Sequence, residues 1–188
     1  MHGRIEARVC GTSSRAGGWP CRKGCDLCCR RLASAPKLTE PEWLLLRQGL
    51  AALDEDRQSE IRTRIQLARG AASPVVCPLL DLQDGSCLIY AQRPVACRTY
   101  GFYVERDRGL FCAGIQSAVE RGEYRDVVWG NQESIDAALR KFGEPLELAD
   151  WIDRDSAAAV ELFQREGISA DGDGLAGSQP GNAGARPL

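Results

Sequence analysis

Four cysteines fall within nine residues, Cys21-x3-Cys25-x2-Cys28-Cys29, and four more follow at Cys77, Cys87, Cys97 and Cys112. No ordinary hydrophobic core asks for that spacing. Free cysteine does serve as a small buried hydrophobe, which would account for one or two of these positions. It does not account for a cluster set beside Arg22, Lys23, Arg30 and Arg31. The chain has nine cysteines against a single histidine, His2, and an odd number of thiols fits a disulfide framework poorly. No apolar h-region lies in residues 1–20, and the strongest aliphatic-aromatic run, Trp43-Leu44-Leu45-Leu46, is far too short to cross a bilayer. The chain is therefore expected in the cytoplasm, off the membrane, where thiols persist and favour metal ligation over disulfides.

Spacing says how the thiols could converge. A tight loop, or one turn of helix, brings three of the first four to one centre. Cys28 and Cys29 are adjacent and point in different directions in most backbone states, so they would serve different metals or different atoms of one cluster. Cys77, Cys87, Cys97 and Cys112 are spread over a hairpin and the turns after it, and a local cluster joined to distant cysteines is how four-thiolate sites clip loops together. Thiolates select Zn²⁺, Cu(I) or iron–sulfur clusters, whereas Mg²⁺ and Ca²⁺ need oxygen ligands, which are not clustered here. The candidate ligands are thus Cys21, Cys25, Cys28, Cys29, Cys77, Cys87, Cys97 and Cys112, holding an iron–sulfur cluster or zinc, a choice the spacing leaves open. Cys10 stands apart in a Gly/Ser setting and is left outside the site. Thiolates outnumber the charge of either metal centre, so nearby cations are expected around them. Arg93 and Arg98 are the candidates, ahead of Arg22 and Arg30. Tyr90, Tyr100, Phe102, Tyr103 and Phe111 supply an apolar hood.

Several function classes are thin. A formal net charge of −2 with scattered arginines and only Lys23, Lys37 and Lys141 as lysines gives no basic stripe for nucleic acid. A Cys–His or Ser–His pair would have to use His2, at the terminus. The acidic run Glu144, Glu147, Asp150, Asp153 and Asp155 reads most simply as a solvated face, with a protein partner as the other reading.

The fold is expected to be α+β and mainly α: a small metal-clipped domain with a helical hairpin, a short β-hairpin and C-terminal helices. Residues 1–20 read as a flexible leader, 21–115 as the cysteine-cluster domain, 116–166 as a helical extension and 167–188 as a disordered Gly/Ser/Ala/Pro tail. Thr39-Glu40-Pro41-Glu42 is a capping box with proline in the first turn, opening a helix over 41–53 with Trp43, Leu46, Leu50 and Leu53 on one stripe. A second helix over 56–69 carries Ile61, Ile65 and Ala68 and stops at Gly70. Asp84-Gly85 between Leu79–Leu82 and Cys87–Tyr90 signals the β-hairpin. Arg93-Pro94 starts a helical turn bearing Cys97 and Arg98. Asn131 caps a helix through Phe142 that buries Ile135, Leu139 and Phe142. A last helix from about Asp155 to Glu166 buries Ala159, Leu162 and Phe163.

The ordered elements Cys21-x3-Cys25-x2-Cys28-Cys29, Cys77-Pro78-Leu79, Cys87-x-Ile89-Tyr90-x-x-Arg93-Pro94-x-x-Cys97-Arg98 and Cys112-x-Gly114-Ile115 resemble the YkgJ-type cysteine-cluster family. Its members are described as zinc- or iron-chelating domains and distantly include the flagellin lysine N-methylases. The resemblance covers residues 21–115 and implies an eight-cysteine metal site on a mainly helical domain, with no set reaction. Two classes follow. One is an iron–sulfur protein supporting redox or methyl-transfer chemistry. The other is a non-catalytic zinc module that binds a protein partner. Cys21-x3-Cys25-x2-Cys28 also has the spacing of radical S-adenosylmethionine enzymes, but the chain is too short for their barrel and lacks a Gly-rich nucleotide turn.

Overall fold

The computed structural model describes residues 1–15, 19–106 and 108–165, with the side chains of 15 and 159–165 outside the description. The expected tail over 167–188, and Ala159, Leu162 and Phe163 as buried residues, lie outside these limits. The chain divides into two units, Met1–Asp153 and Arg154–Leu188. The second is described only as the helical residues Arg154 to Arg165. The first is α+β and mainly α. Its elements run α1 (His2–Arg15), β1 (Lys37–Leu38), α2 (Glu40–Ala51), α3 (Glu55–Ala68), α4 (Val95–Thr99), β2 (Tyr103–Glu105), β3 (Arg108–Gly109), α5 (Ala113–Glu120), β4 (Gly130–Asn131), α6 (Gln132–Leu139), β5 (Leu146–Glu147) and the first turns of α7 (Leu148–Arg165).

Caps and periodicity explain the helices that the sequence announced. At the start of α2, the Thr39 N–H donates to Glu42 Oε2 at 3.0 Å, and its hydroxyl donates to the same oxygen at 2.7 Å. Asp54 caps α3 by accepting from the Arg57 N–H at 2.8 Å. Just beyond the end of α3, Gly70 takes φ +63, the left-handed region that favours glycine. Asn131 caps α6 through the Ser134 N–H.

Two apolar clusters form the interior. The first gathers Trp43 and Leu46 of α2, Ile61 and Ile65 of α3, Leu38 of β1, Leu79, Leu80 and Ile89, with Leu148, Ala149 and Trp151 of α7. Burying each large side chain contributes roughly 1.5–3 kcal/mol. Trp43 and Trp151 stack at 6.2 Å with planes 10° apart, and the Trp151 indole N–H donates to the Leu38 carbonyl at 2.9 Å. β1 pairs antiparallel with β5, which delivers the chain to α7. The second cluster gathers Ile5, Trp19, Val95, Phe102, Tyr103 and Ile115. Beside it β2 pairs antiparallel with β3 and parallel with β4.

Four expectations change. Residues 2–15, read as a leader, are helical as α1, because Ile5 is fully buried in the second cluster and anchors an otherwise polar segment. The strands around Asp84-Gly85 reduce to a single Leu80–Cys87 bridge. Asp81 and Asp84 there turn the backbone with their own side chains, accepting from the Gln83 and Ser86 N–H groups at 2.8 and 2.7 Å. The β-hairpin lies instead at 103–109, with Arg106 at φ +52 in its turn. The last helix starts at Leu148, seven residues early, because Leu148, Ala149 and Trp151 complete the first core. Phe142, expected inside, is 53% exposed; α6 ends at Leu139 and a 3₁₀ turn over Arg140–Phe142 carries the ring outward.

Candidate metal centre

The cysteine segment 21–32 is built from two turns. Arg22 accepts from the Cys25 N–H at 3.0 Å, and Gly24 sits third in that turn at φ +89, where a side chain would be strained. A helical turn follows: the Arg30 N–H donates to the Asp26 carbonyl at 3.0 Å, and Arg30 Nε meets the Asp26 carboxylate at 2.5 Å. Cys25, Cys28 and Cys29 thus stand at i, i+3 and i+4. Leu32 and Val75 exchange both backbone hydrogen bonds, and the Cys77 N–H donates to the Cys29 carbonyl at 2.7 Å, so Cys77 is delivered beside Cys29. Arg64, reaching in from α3, fixes the turn after Cys77 by donating to the Cys77 and Leu80 carbonyls at 3.2 and 2.8 Å. The Leu80–Cys87 bridge brings in Cys87, and α4 carries Cys97.

Cys112 arrives by the β2–β3 turn, at the N-terminal end of α5, and packs with Cys21 against the second apolar cluster. Cys29, Cys77 and Cys87 belong with the first cluster. Gly101 shows how closely the chain passes the sulfurs: at φ +89 it donates its N–H to Leu110 at 2.6 Å, and a Cβ there would collide with Cys21 Sγ.

Electrostatics record the same neighbourhoods. Burial pushes the Cys21 thiol up to about 12, helped by Cys112, Cys25 and Cys28 and opposed by Arg93. Burial likewise pushes Cys97 up to about 12, with Cys29, Cys87 and Cys28 adding to it and Arg93 opposing. Cys28 is held well above the usual thiol range by its contact with Cys29, Sγ to Sγ 3.9 Å, and by burial. At Cys29 the Cys28 contact favours the thiolate, but Cys77, burial and Cys87 outweigh it. Burial also raises Cys87. Among the described residues no three Cys, His, Asp or Glu side chains stand close enough to hold one ion as placed. Closing a coordination shell therefore needs side-chain rotation of neighbouring cysteines. The donor chemistry, sulfur without histidine, suits zinc or iron and not the hard cations.

The two arginines take different places. Arg93 lies 3.6 Å over the Tyr90 ring, donates Nε to the Tyr90 carbonyl, and favours the thiolates of Cys21, Cys87 and Cys97. Arg98 is buried and spends its donors elsewhere, on Glu6 at 2.5 Å, the Arg93 carbonyl at 2.8 Å and the Ala91 carbonyl. It holds the α4 turn rather than a sulfur. Tyr90, Tyr100 and Phe102 border a cavity with Cys21, Cys25, Cys28 and Cys97, and Phe102 also packs with Tyr103 and Phe111 in the second apolar cluster. Arg22 also borders that cavity. Cys10 is exposed on α1. Asp150 and Asp153 of the acidic run face Arg69, at 3.7 and 2.5 Å.

Glu42 is the positioning residue that sequence reasoning missed. Its other oxygen, Oε1, accepts from the Val95 N–H at 2.9 Å, so one buried carboxylate serves the first turns of both α2 and α4. The capping box marked it, but nothing local linked it to a peptide 53 residues away.

Comparison with known proteins returns one family, CxxCxxCC, described as "Putative zinc- or iron-chelating domain", over residues 20–125. The first interval here holds three residues, Arg22, Lys23 and Gly24, where the family label has two. No curated protein and no solved structure matches. No helix among the described residues is long and apolar enough to cross a membrane.

Proposed function

Since the chain belongs to this CxxCxxCC family of zinc- or iron-chelating domains, we propose that eight of its cysteines ligate the metal in two adjacent groups. Cys21, Cys25, Cys28 and Cys112 form one; Cys29, Cys77, Cys87 and Cys97 form the other. The observation that carries this is the crowding of thiols from separate segments: Cys112, Cys25 and Cys28 hold back the ionisation of Cys21, Cys29, Cys87 and Cys28 that of Cys97, and Cys28 Sγ lies 3.9 Å from Cys29 Sγ. Gathering acidic groups at a mutual penalty makes sense around a cation that reverses it. Each group draws one or more sulfurs from the 21–29 turn and the rest from distant segments, so metal binding would tie the two apolar clusters together. Cys28 touches Cys29 and stands where the groups meet. Arg93 supplies positive charge to both.

Zinc on four thiolates has no open position and would contribute folding energy alone, giving a structural module that presents a surface to a protein partner. An iron–sulfur cluster on the same ligands would supply one-electron chemistry, for redox or methyl transfer. Metal analysis with an absorption spectrum on anaerobically purified protein separates them. Brown protein containing iron and acid-labile sulfide supports the second; colourless protein with about two zinc ions per chain supports the first. Protein without stoichiometric metal overturns the proposal.

A further inference from the structure

A second cavity, of about 550 Å³, opens over the sulfur cluster on the side of the 31–37 loop. It is far larger than zinc ligation requires, since each zinc would lie only about 2.3 Å from its sulfurs. Its size falls in the range of small-molecule sites, roughly 300–1,000 Å³. Six of the eight candidate ligands form one wall, and Leu32, Ala35, Pro36 and Leu79 give it a mainly apolar lining. Its charged lining is one-sided: Arg31, Lys37 and Arg93, with no carboxylate among the described residues. Arg93 is engaged with Tyr90 and leans toward the thiols. Arg31 and Lys37 are exposed and have no ion pair among the described residues. They are cations at the edge of an apolar cavity, unused by the metal reading.

We propose that this cavity binds a small monocarboxylate with an apolar body, its carboxylate on Arg31 and Lys37 and its body against Leu32, Ala35 and Pro36. The inference rests on the metal reading only in that ligated sulfurs would form the cavity wall. A carboxylate at the rim keeps much of its hydration while two cations neutralise it, and the apolar body leaves water. An uncharged molecule of the same length gains only the second contribution. Selection for an anion over its neutral analogue is therefore built into the lining.

Calorimetric titration of the full-length, as-purified protein with octanoate and with 1-octanol tests this, with metal content measured on the same samples. Octanoate is expected to bind about tenfold more tightly than octanol, about 1.4 kcal/mol shared between two rim ion pairs. The double variant R31E/K37E should lose about tenfold in octanoate affinity, with octanol affinity and metal content unchanged. No octanoate binding by metal-replete protein overturns the proposal, as does equal binding of acid and alcohol or unaltered octanoate affinity in the double variant. Selective octanoate binding by protein that holds no metal would overturn the metal reading and leave this one standing.

Discussion

Replacing Glu42 with alanine removes one carboxylate and strands three donors. Oε2 accepts from the Thr39 N–H at 3.0 Å and the Thr39 hydroxyl at 2.7 Å, while Oε1 accepts from the Val95 N–H at 2.9 Å. Glu42, Thr39 and Val95 are 8, 2 and 1% exposed, so water has little room to replace the lost oxygens. A hydrogen bond to a charged group contributes roughly 1.5–3 kcal/mol, and three converging on one group do not add in full. The expected loss is about 3–5 kcal/mol, well into the large tail of single substitutions. Glu42→Gln keeps the volume and one acceptor but turns an NH2 toward either Thr39 or Val95, for a smaller loss of about 1.5–3 kcal/mol. Urea unfolding followed by tryptophan fluorescence reads both, since Trp43 is the next residue. Metal retention under chelator challenge should fall in the same order, because the carboxylate holds the first turn of the helix that presents Cys97. A loss below about 1 kcal/mol for Glu42→Ala would refute the reasoning, as would Glu42→Gln proving the more damaging.

Further outcomes follow from the site. Gly101→Ala puts a Cβ against Cys21 Sγ at a backbone of φ +89, so it should destabilise by about 2 kcal/mol or more and deplete metal from the Cys21 group while the Cys29 group keeps its own, read by metal analysis. Cys25→Ser and Cys97→Ser should each lose metal and lower stability by several kcal/mol, read by metal content and thermal unfolding; unchanged metal in both variants contradicts the assigned ligands. Metal-stripped protein should lose stability as pH rises above about 9 toward 12, because the Cys21 and Cys97 thiols ionise later folded than unfolded. Metal-loaded protein should show the opposite dependence, releasing metal on acidification as protons displace it from sulfur. Denaturation curves across pH with and without chelator test both signs.

Local signals in the sequence were legible where the local signal and the tertiary role coincide. Thr39, Pro41 and Glu42 start α2, Gly70 closes the turn after α3, and Asn131 caps α6, each for a reason contained within a few residues. Elements whose existence depends on distant burial were not legible. The polar segment of α1 is tied to the fold through Ile5, and the early start of α7 depends on Leu148 and Trp151 meeting Leu38 and Trp43. The Asp84-Gly85 step was a sound turn signal, but pairing around it stops at the Leu80–Cys87 bridge, held by the Asp81 N–H on the Ser86 carbonyl and the Leu88 N–H on the Leu79 carbonyl. At the site, the cysteines could be enumerated from spacing, whereas their grouping could not. Which sulfurs are neighbours depends on the Leu32–Val75 pairing and on the β2–β3 turn, both long-range. Arg93 and Arg98 look equivalent in sequence and separate only in the fold, one facing thiols and the other holding carbonyls and Glu6.

X-ray absorption at the metal edge, on the protein as purified, tests thiolate ligation most directly. The account predicts an all-sulfur first shell: for zinc, four scatterers at about 2.3 Å and none nearer. A shell dominated by nitrogen or oxygen at about 2.0–2.1 Å would contradict it, because the grouped cysteines would then not be the ligands.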